Sequence, residues 1–289
     1  MEIVEICKKK KWILTAELGP PKGTNLEPFL KQAGFLKGCV DAVNVTDQQA
    51  GLMKLGSLTC CHLLRDFGIE PVMQITCRDK NRLALQSELL SASVLGIQNI
   101  LVLTGDPITI GDHPLAKPVL DLNVTELISV IKKLESGIDM TDHKLDGVPQ
   151  FSIGAALNPC SDDIDTEISK TRKKIEKGAE FFQTQGVFDP MRFKRFTDRY
   201  AEEGLKTPIL AGIILLKSAK MTHFMNEKIP GIHIPQALID RLQNAKDAKK
   251  ESVTIACEII QAIRPVVQGV HLMALGWETL IPEIVSRIS

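Results

Sequence analysis

Two carboxylates stand where chemistry could be done. Glu17 sits inside the apolar stretch ILTAELGPP. A charge there is costly without a partner or a task, and a carboxyl group partly removed from water suits proton transfer. Asp106 follows a hydrophobic run in LVLTGDP. Gly105 before it allows close backbone approach to a ligand, and Pro107 after it fixes a turn. Other polar residues recur at the C-terminal ends of apolar runs: Thr46, Asp47 and Gln48, then Gln74 and Thr76, Thr104, Asn158, Gln185 and Lys217. Downstream, DDIDTEISKTRKKIEK opens with acids and closes with Lys170, Arg172, Lys173, Lys174 and Lys177. Macrodipole complementation on a solvated face explains that order, and a phosphate contact by one or two lysines is the sharper alternative.

Several chemistries are not written in the chain. It has neither G-x-G-x-x-G nor G-x-x-x-x-G-K-[ST], so no dinucleotide fingerprint and no phosphate-binding loop of that type. Six histidines (His62, His113, His143, His223, His233 and His271) are scattered without metal-ligand spacing and are expected to be structural or solvated. The seven cysteines form no C-x-x-C pair and are expected to be reduced thiols of a cytoplasmic protein. Lys+Arg and Asp+Glu both number 35, which argues for neither a nucleic-acid nor a membrane-surface partner. No apolar run reaches a membrane span, and none opens the chain as a signal region. The basic run Lys8 to Lys11 is expected to be a solvated helix end.

The elements that must position these residues follow from periodicity. Short β-rich runs are expected at 13–18, 41–46, 71–76, 99–104, 150–156, 180–185, 208–214 and 267–274. Helical spacing marks 80–95, 161–177, 190–203 and 218–227, a long stretch at 235–264, and 277–288. Eight strands, each followed by a helix, predict an α/β fold of the (β/α)8 TIM-barrel class, one domain over 1–289, with a doubly wound open sheet as the alternative. In such barrels the C-terminal strand ends carry the site, which is where the polar residues fall. The segment 105–122 is the longest irregular connection and is expected to be functional or mobile.

At this point the chain resembles the methylenetetrahydrofolate reductases along its whole length. Glu17 with Pro20-Pro21 is similar to the family's E-x-x-P-P opening, and VNVTDQQ (43–49) to its second strand. QITC (74–77), ILVLTGDP (100–107), GAALNP (154–159), KKIEKGAEFFQTQGVFD (173–189) and AGIILL (211–216) follow in order. The resemblance implies hydride transfer from a reduced flavin at the barrel rim to 5,10-methylenetetrahydrofolate, giving 5-methyltetrahydrofolate. It implies that Glu17 is the acid that opens the folate ring, its pKa raised toward neutrality by desolvation, and that Asp106 lies near the flavin. Gln185 would contact folate and the reductant, with Met221 and Trp277 at further substrate positions. Thr46, Gln74, Thr104, Gly105, Leu157, Lys170, Lys173 and Lys174 would hold the cofactor.

The departures from the family pattern carry their own implications. Gln74 stands where many members have His, Leu157 where many have Tyr, and Lys170 where they have Asn. The stretch between Leu157 and Glu167 is shorter than in FAD-binding members, which favours FMN over FAD. Met221 and Trp277 replace a Gln and an Arg, and the ending GWE resembles members from anaerobic one-carbon metabolism. There the flavin subunit works with a redox partner or in an oligomer, so NAD(P)H as direct donor is an open expectation. Two other functions fit a folate-sized barrel: a pterin-binding methyltransferase without flavin, and a non-catalytic interaction subunit of a redox complex.

Overall fold

In the computed structural model, which describes residues 2–9, 12–229 and 231–289, eight parallel strands close on one another in chain order. They are β1 (Ile13–Leu18), β2 (Ala42–Val45), β3 (Pro71–Thr76), β4 (Asn99–Leu103), β5 (Ser152–Leu157), β6 (Phe181–Gly186), β7 (Ile209–Ile214) and β8 (Gly269–Met273). Closure comes from β1 pairing with both β2 and β8. The protein is therefore a (β/α)8 barrel, and the open-sheet alternative is excluded. The connecting helices are α1 (Ile3–Lys9), α2 (Glu27–Leu36), α3 (Ser57–Asp66), α4 (Arg82–Val94), α5 (Val124–Glu135), α6 (Ile164–Glu176), α7 (Pro190–Glu202), α8 (Ala219–Lys228), α9 (Gln236–Asn244), α10 (Ala248–Ile263) and α11 (Ile281–Ile288).

Caps written in the sequence start most of the long helices. Asn123 and Glu126 form a reciprocal capping box at α5, and Asp163, Asp189 and Ser218 cap α6, α7 and α8. Asp247 accepts the backbone N–H groups of Lys249 and Lys250 at 3.0 and 3.2 Å. That cap ends the long helix expected over 235–264: the chain breaks at 245–247 and restarts as α10. The last helix likewise opens with a 3₁₀ turn, Glu278–Leu280.

Alternation along each strand sorts side chains between two cores. Odd-numbered residues of β1 and even-numbered ones of β3 point into the barrel, and their neighbours point to the helices. At the bottom, Ile13, Ala42, Val72, Leu101, Phe181 and Leu210 pack with Ile3 and Ile6 of α1, which plugs that end. Ile3 N–H donates to Asn99 Oδ1 at 2.7 Å and fastens the plug. Gly154 is required here, because a Cβ would stand 2.3 Å from the Phe181 ring. In α1, exposed Lys8 pairs with Glu5 at 2.8 Å; Lys10 and Lys11 lie outside the described residues. The larger apolar cluster fills the space between strands and helices. All seven cysteines are free, and among the described residues no helix is long and apolar enough to cross a membrane.

Candidate active site

Above the apolar floor the barrel interior turns polar. Asn44 Nδ2 donates to Gln183 Oε1 at 2.6 Å, and Gln183 Nε2 donates back to Asn44 Oδ1 at 3.1 Å. Thr15 and His271 stand beside this amide pair with Thr15 Oγ1 2.9 Å from His271 Nδ1. Glu17 is two residues further along β1, on the same inward face and 9% exposed. Its carboxylate accepts from Gln49 Nε2 at 3.1 Å and from Gln74 Nε2 at 3.4 Å, with His271 Nε2 3.8 Å away. Burial pushes Glu17 up, but His271, Gln49 and Gln74 together outweigh it and hold the carboxyl below its usual range. The expectation of a raised value is thus corrected. Desolvation was legible from the apolar frame, whereas the compensating donors come from three other segments of the chain.

Asp106 lies in the β4–α5 connection and accepts the backbone N–H of Ala50 at 2.6 Å. Ala50 and Gln48 both adopt left-handed backbone, at φ 56° and 48°. Arg78, 4% exposed after β3, staples the two loops by donating to the carbonyls of Asp106 at 2.8 Å and Gln48 at 3.2 Å. Gly105 has φ +92°, and a Cβ there would meet Arg78 at 2.8 Å, so the turn needs glycine. The segment 105–122 carries one 3₁₀ turn, Ile108–Ile110, which packs against the 3₁₀ turn Gln49–Gly51. This contact carries Gln49 over Glu17.

The remaining residues distribute as follows. Thr46 is fully buried after β2, and its hydroxyl has no hydrogen-bond partner. Lys174 Nζ reaches the carbonyl of Ala156 at 2.6 Å. Burial pulls this ammonium down, against the attraction of Glu167 and with help from Lys170. Glu167 in turn accepts the N–H of Asn158 at 2.9 Å and fixes the short β5–α6 loop. An unpaired buried hydroxyl and a half-buried ammonium held only by a carbonyl are the features a polar, anion-bearing cofactor would satisfy. Thr104, Lys170, Lys173 and Gln185 are exposed, and Gly105 and Gln74 lie at the rim. Leu157 is turned to the helix layer and buried in the apolar core, so its side chain is committed there. Met221 packs against that core from α8. Trp277 has Lys217 and Lys249 over its ring at 5.4 and 5.7 Å.

Reading the sequence for site residues missed Gln49, Arg78 and His271. Gln49 and Arg78 carry no local signal, since loop–loop contact alone gives them their place. His271 had a weak one: with Glu17 it is one of two ionisable residues within the strands as the structure bounds them, though the expected ranges 41–46 and 180–185 also took in Asp41 and Glu180.

A closed parallel barrel of eight strands with alternating helices is a TIM-barrel protein, and in that class sites lie at the C-terminal strand ends, where Glu17 and the polar rim are found. Within that class the chain belongs to the methylenetetrahydrofolate reductase family, whose model matches residues 2–289. Methylenetetrahydrofolate reductase 1 of Schizosaccharomyces pombe is 26% identical over 232 residues, covering 77% of this chain and 36% of the yeast protein. The 5,10-methylenetetrahydrofolate reductase of Pectobacterium carotovorum is 26% identical over 222 residues, covering 72% of this chain and 66% of that one. The chain thus spans 36% of the length of its yeast relative. Among solved structures, an uncharacterized protein from Clostridium thermocellum that binds two copies of 5-methyl-5,6,7,8-tetrahydrofolic acid shares the fold. Its TM-score is 0.68 at 19% identity, covering 98% of this chain and 96% of that one.

Proposed function

We propose that the chain reduces 5,10-methylenetetrahydrofolate to 5-methyltetrahydrofolate at the C-terminal rim of the barrel, with flavin as its cofactor. The observation that carries this reading is Glu17, a buried carboxylate at the rim whose contacts are two neutral amides and an imidazole rather than an arginine or lysine. Such a group can change protonation when a ligand displaces its partners. Family membership and a structural neighbour that binds a methylated folate support the substrate.

Reduced flavin, when bound, supplies the hydride. Thr46, Thr104, Gly105 and Gln74 would hold its ring system, with Asp106 placing a negative charge beside it. Lys174, with Lys170 and Lys173, would meet the phosphate, and the short loop after Leu157 favours FMN over FAD. Folate would lie against Gln185, Met221 and Trp277. Glu17, protonated as the folate enters, gives its proton to a ring nitrogen and so opens the five-membered ring toward reduction.

Glu17→Gln tests this reading. General acid catalysis contributes about 10²–10⁴ in rate, so turnover of methylenetetrahydrofolate by chemically reduced enzyme should fall by that order while the protein stays yellow. Near-normal turnover removes Glu17 from the mechanism. A colourless wild-type protein that cannot be reconstituted with flavin points instead to a pterin-binding methyltransferase.

A further inference from the structure

The eight strands carry two ionisable side chains between them, Glu17 and His271. The fold brings them together inside the barrel, with His271 Nε2 3.8 Å from Glu17 Oε2. Both are buried. No other strand offers a charge: β7 beside them presents Leu210, Gly212 and Ile214, and β2, β3 and β6 present amides and hydroxyls. Three charged groups stand on the loops at this end of the barrel. Asp47 accepts from Thr76 and Lys80, Lys217 donates to the Leu275 carbonyl, and Lys54 reaches toward Gly19.

The far side of the imidazole is built for two states. Thr15 Oγ1 lies 2.9 Å from His271 Nδ1 and 3.5 Å from the carbonyl of Val270. Gln183 Nε2 donates to the same oxygen at 3.4 Å, and Asn44 holds Gln183 in place. A hydroxyl has one proton to give and two lone pairs to offer. With a singly protonated ring, the Thr15 proton points at Nδ1 and Nε2–H faces Glu17. With a doubly protonated ring, Nδ1–H donates to Thr15, whose own proton turns to Val270. Gln183 keeps the second lone pair in either state, so neither leaves a buried group unpaired. A purely structural histidine needs only one such state.

We propose that His271 and Glu17 share one proton, that Thr15 is the positioning residue that lets His271 hold it, and that this store recharges the acid of the folate reaction. The last clause rests on the function proposed above; the shared proton does not. In the transfer, the Nε2–H bond breaks as an Oε2–H bond forms, leaving neutral imidazole and neutral carboxyl. The carboxyl proton then passes to folate nitrogen, leaving carboxylate and neutral imidazole, and after product leaves the imidazole takes up one proton from bulk solvent through water at the rim. The 3.8 Å separation is an ion-pair distance, and closing it by about 1 Å brings the two within transfer range.

Two spectroscopic readings on the ligand-free chain at neutral pH test the pair without turnover. Nitrogen-15 spectra of labelled histidine should show the His271 ring doubly protonated in the wild type and singly protonated in Glu17→Gln. Thr15→Val should also lose the second ring proton, and Thr15→Ser should keep it. Infrared difference spectra against Glu17→Gln should show the wild-type carboxyl ionised, with its protonated band emerging at higher pH in His271→Gln. A His271 ring that is singly protonated in the wild type and unmoved by Glu17→Gln overturns the proposal. If Thr15→Val does not fold, Glu17→Gln and Thr15→Ser still decide it. Absence of folate turnover in every protein, wild type included, would sink the functional reading and leave the shared proton standing on its spectra.

Discussion

The Asp106 carboxylate accepts the backbone N–H of Ala50 at 2.6 Å, which ties the loop after β4 to the loop after β2. Ala50 sits in left-handed backbone at φ 56°, a conformation that costs a non-glycine residue roughly 1–2 kcal/mol. Gln49, next to it, is the residue that reaches Glu17 at 3.1 Å. One carboxylate thus holds a strained turn, and the strained turn holds a donor over the acid. Asp106→Ala should accordingly loosen the loop before it harms the barrel. Hydrogen exchange at Ala50 should accelerate while the strand amides keep their protection. Unchanged exchange at Ala50 would mean that Arg78 alone secures the turn.

Lys174 offers a test of the cofactor's phosphate that needs no catalysis. Its ammonium is half-buried, pulled down by desolvation, and bonded to a single carbonyl. A charge-assisted hydrogen bond contributes about 1.5–3 kcal/mol, so Lys174→Met should weaken FMN binding by roughly 10- to 100-fold. Riboflavin, which has no phosphate, should bind both proteins alike in a fluorescence titration. Equal losses for FMN and riboflavin would place Lys174 in the fold rather than at the phosphate.

Acid stability should depend in part on the ion pair between Asp121, at the end of the 105–122 connection, and Arg82, at the start of α4. Asp121 receives Nε, Nη2 and the backbone N–H of Arg82, each at 2.9 Å. These bonds take its carboxyl from an ordinary 3.8 to about 2. A folded value below the unfolded one means that the stabilisation is whole above pH 3.8 and is lost as pH falls toward about 2. Asp121→Asn should therefore lower the melting temperature slightly at neutral pH, and the difference should shrink as pH falls from 3.8 through about 2. A destabilisation that does not change across that range would show that packing, not charge, is at stake. The group is exposed, so the effect should shrink in salt.

The architecture was legible because strands and helices announce themselves locally. ILTAEL and NILVLT mark strands β1 and β4, and capping residues such as Asn123 and Asp189 start helices where the periodicity begins. Glu17 was legible for a related reason, since a carboxylate in an apolar strand is conspicuous by itself. What surrounds it was not. Gln74, Gln49 and His271 are 57, 32 and 254 residues away along the chain, and only barrel closure brings them to one point. The direction of the Glu17 shift depended on those partners, so burial alone gave the wrong sign. The β5 alternation that sends Leu157 to the helix layer was likewise open to reading, because Gly154 on the barrel face fixes the parity.

The electron donor is the remaining question that a single measurement can answer. A nicotinamide that passes hydride to flavin must stack on the ring with reacting atoms about 3–3.5 Å apart, and misplacement costs rate steeply. The groups available for that at this rim are few. Gln185 is exposed at the end of β6, Met221 packs against the core, and Trp277 is flanked by Lys217 and Lys249 at 5.4 and 5.7 Å. Their backbones are tied, Met221 N–H to Ser218 Oγ at 3.2 Å and the Gln185 carbonyl to Thr184 Oγ1 at 2.6 Å, but among the described residues no hydrogen bond fixes the Gln185 or Trp277 side chain for stacking. The flavin position proposed above, with Thr46, Gly105 and Lys174, would not depend on them. We therefore expect the isolated chain to reduce its flavin slowly or not at all with NADH or NADPH. Dithionite should bleach it at once, and methylenetetrahydrofolate should then restore the colour. Electrons would reach the flavin through a partner subunit of a redox complex. A stopped-flow mix of purified protein with NADH reads the outcome directly. Bleaching within the mixing trace, with no partner present, would make this chain a self-sufficient reductase and would give Gln185 the contact with the reductant that the resemblance implies.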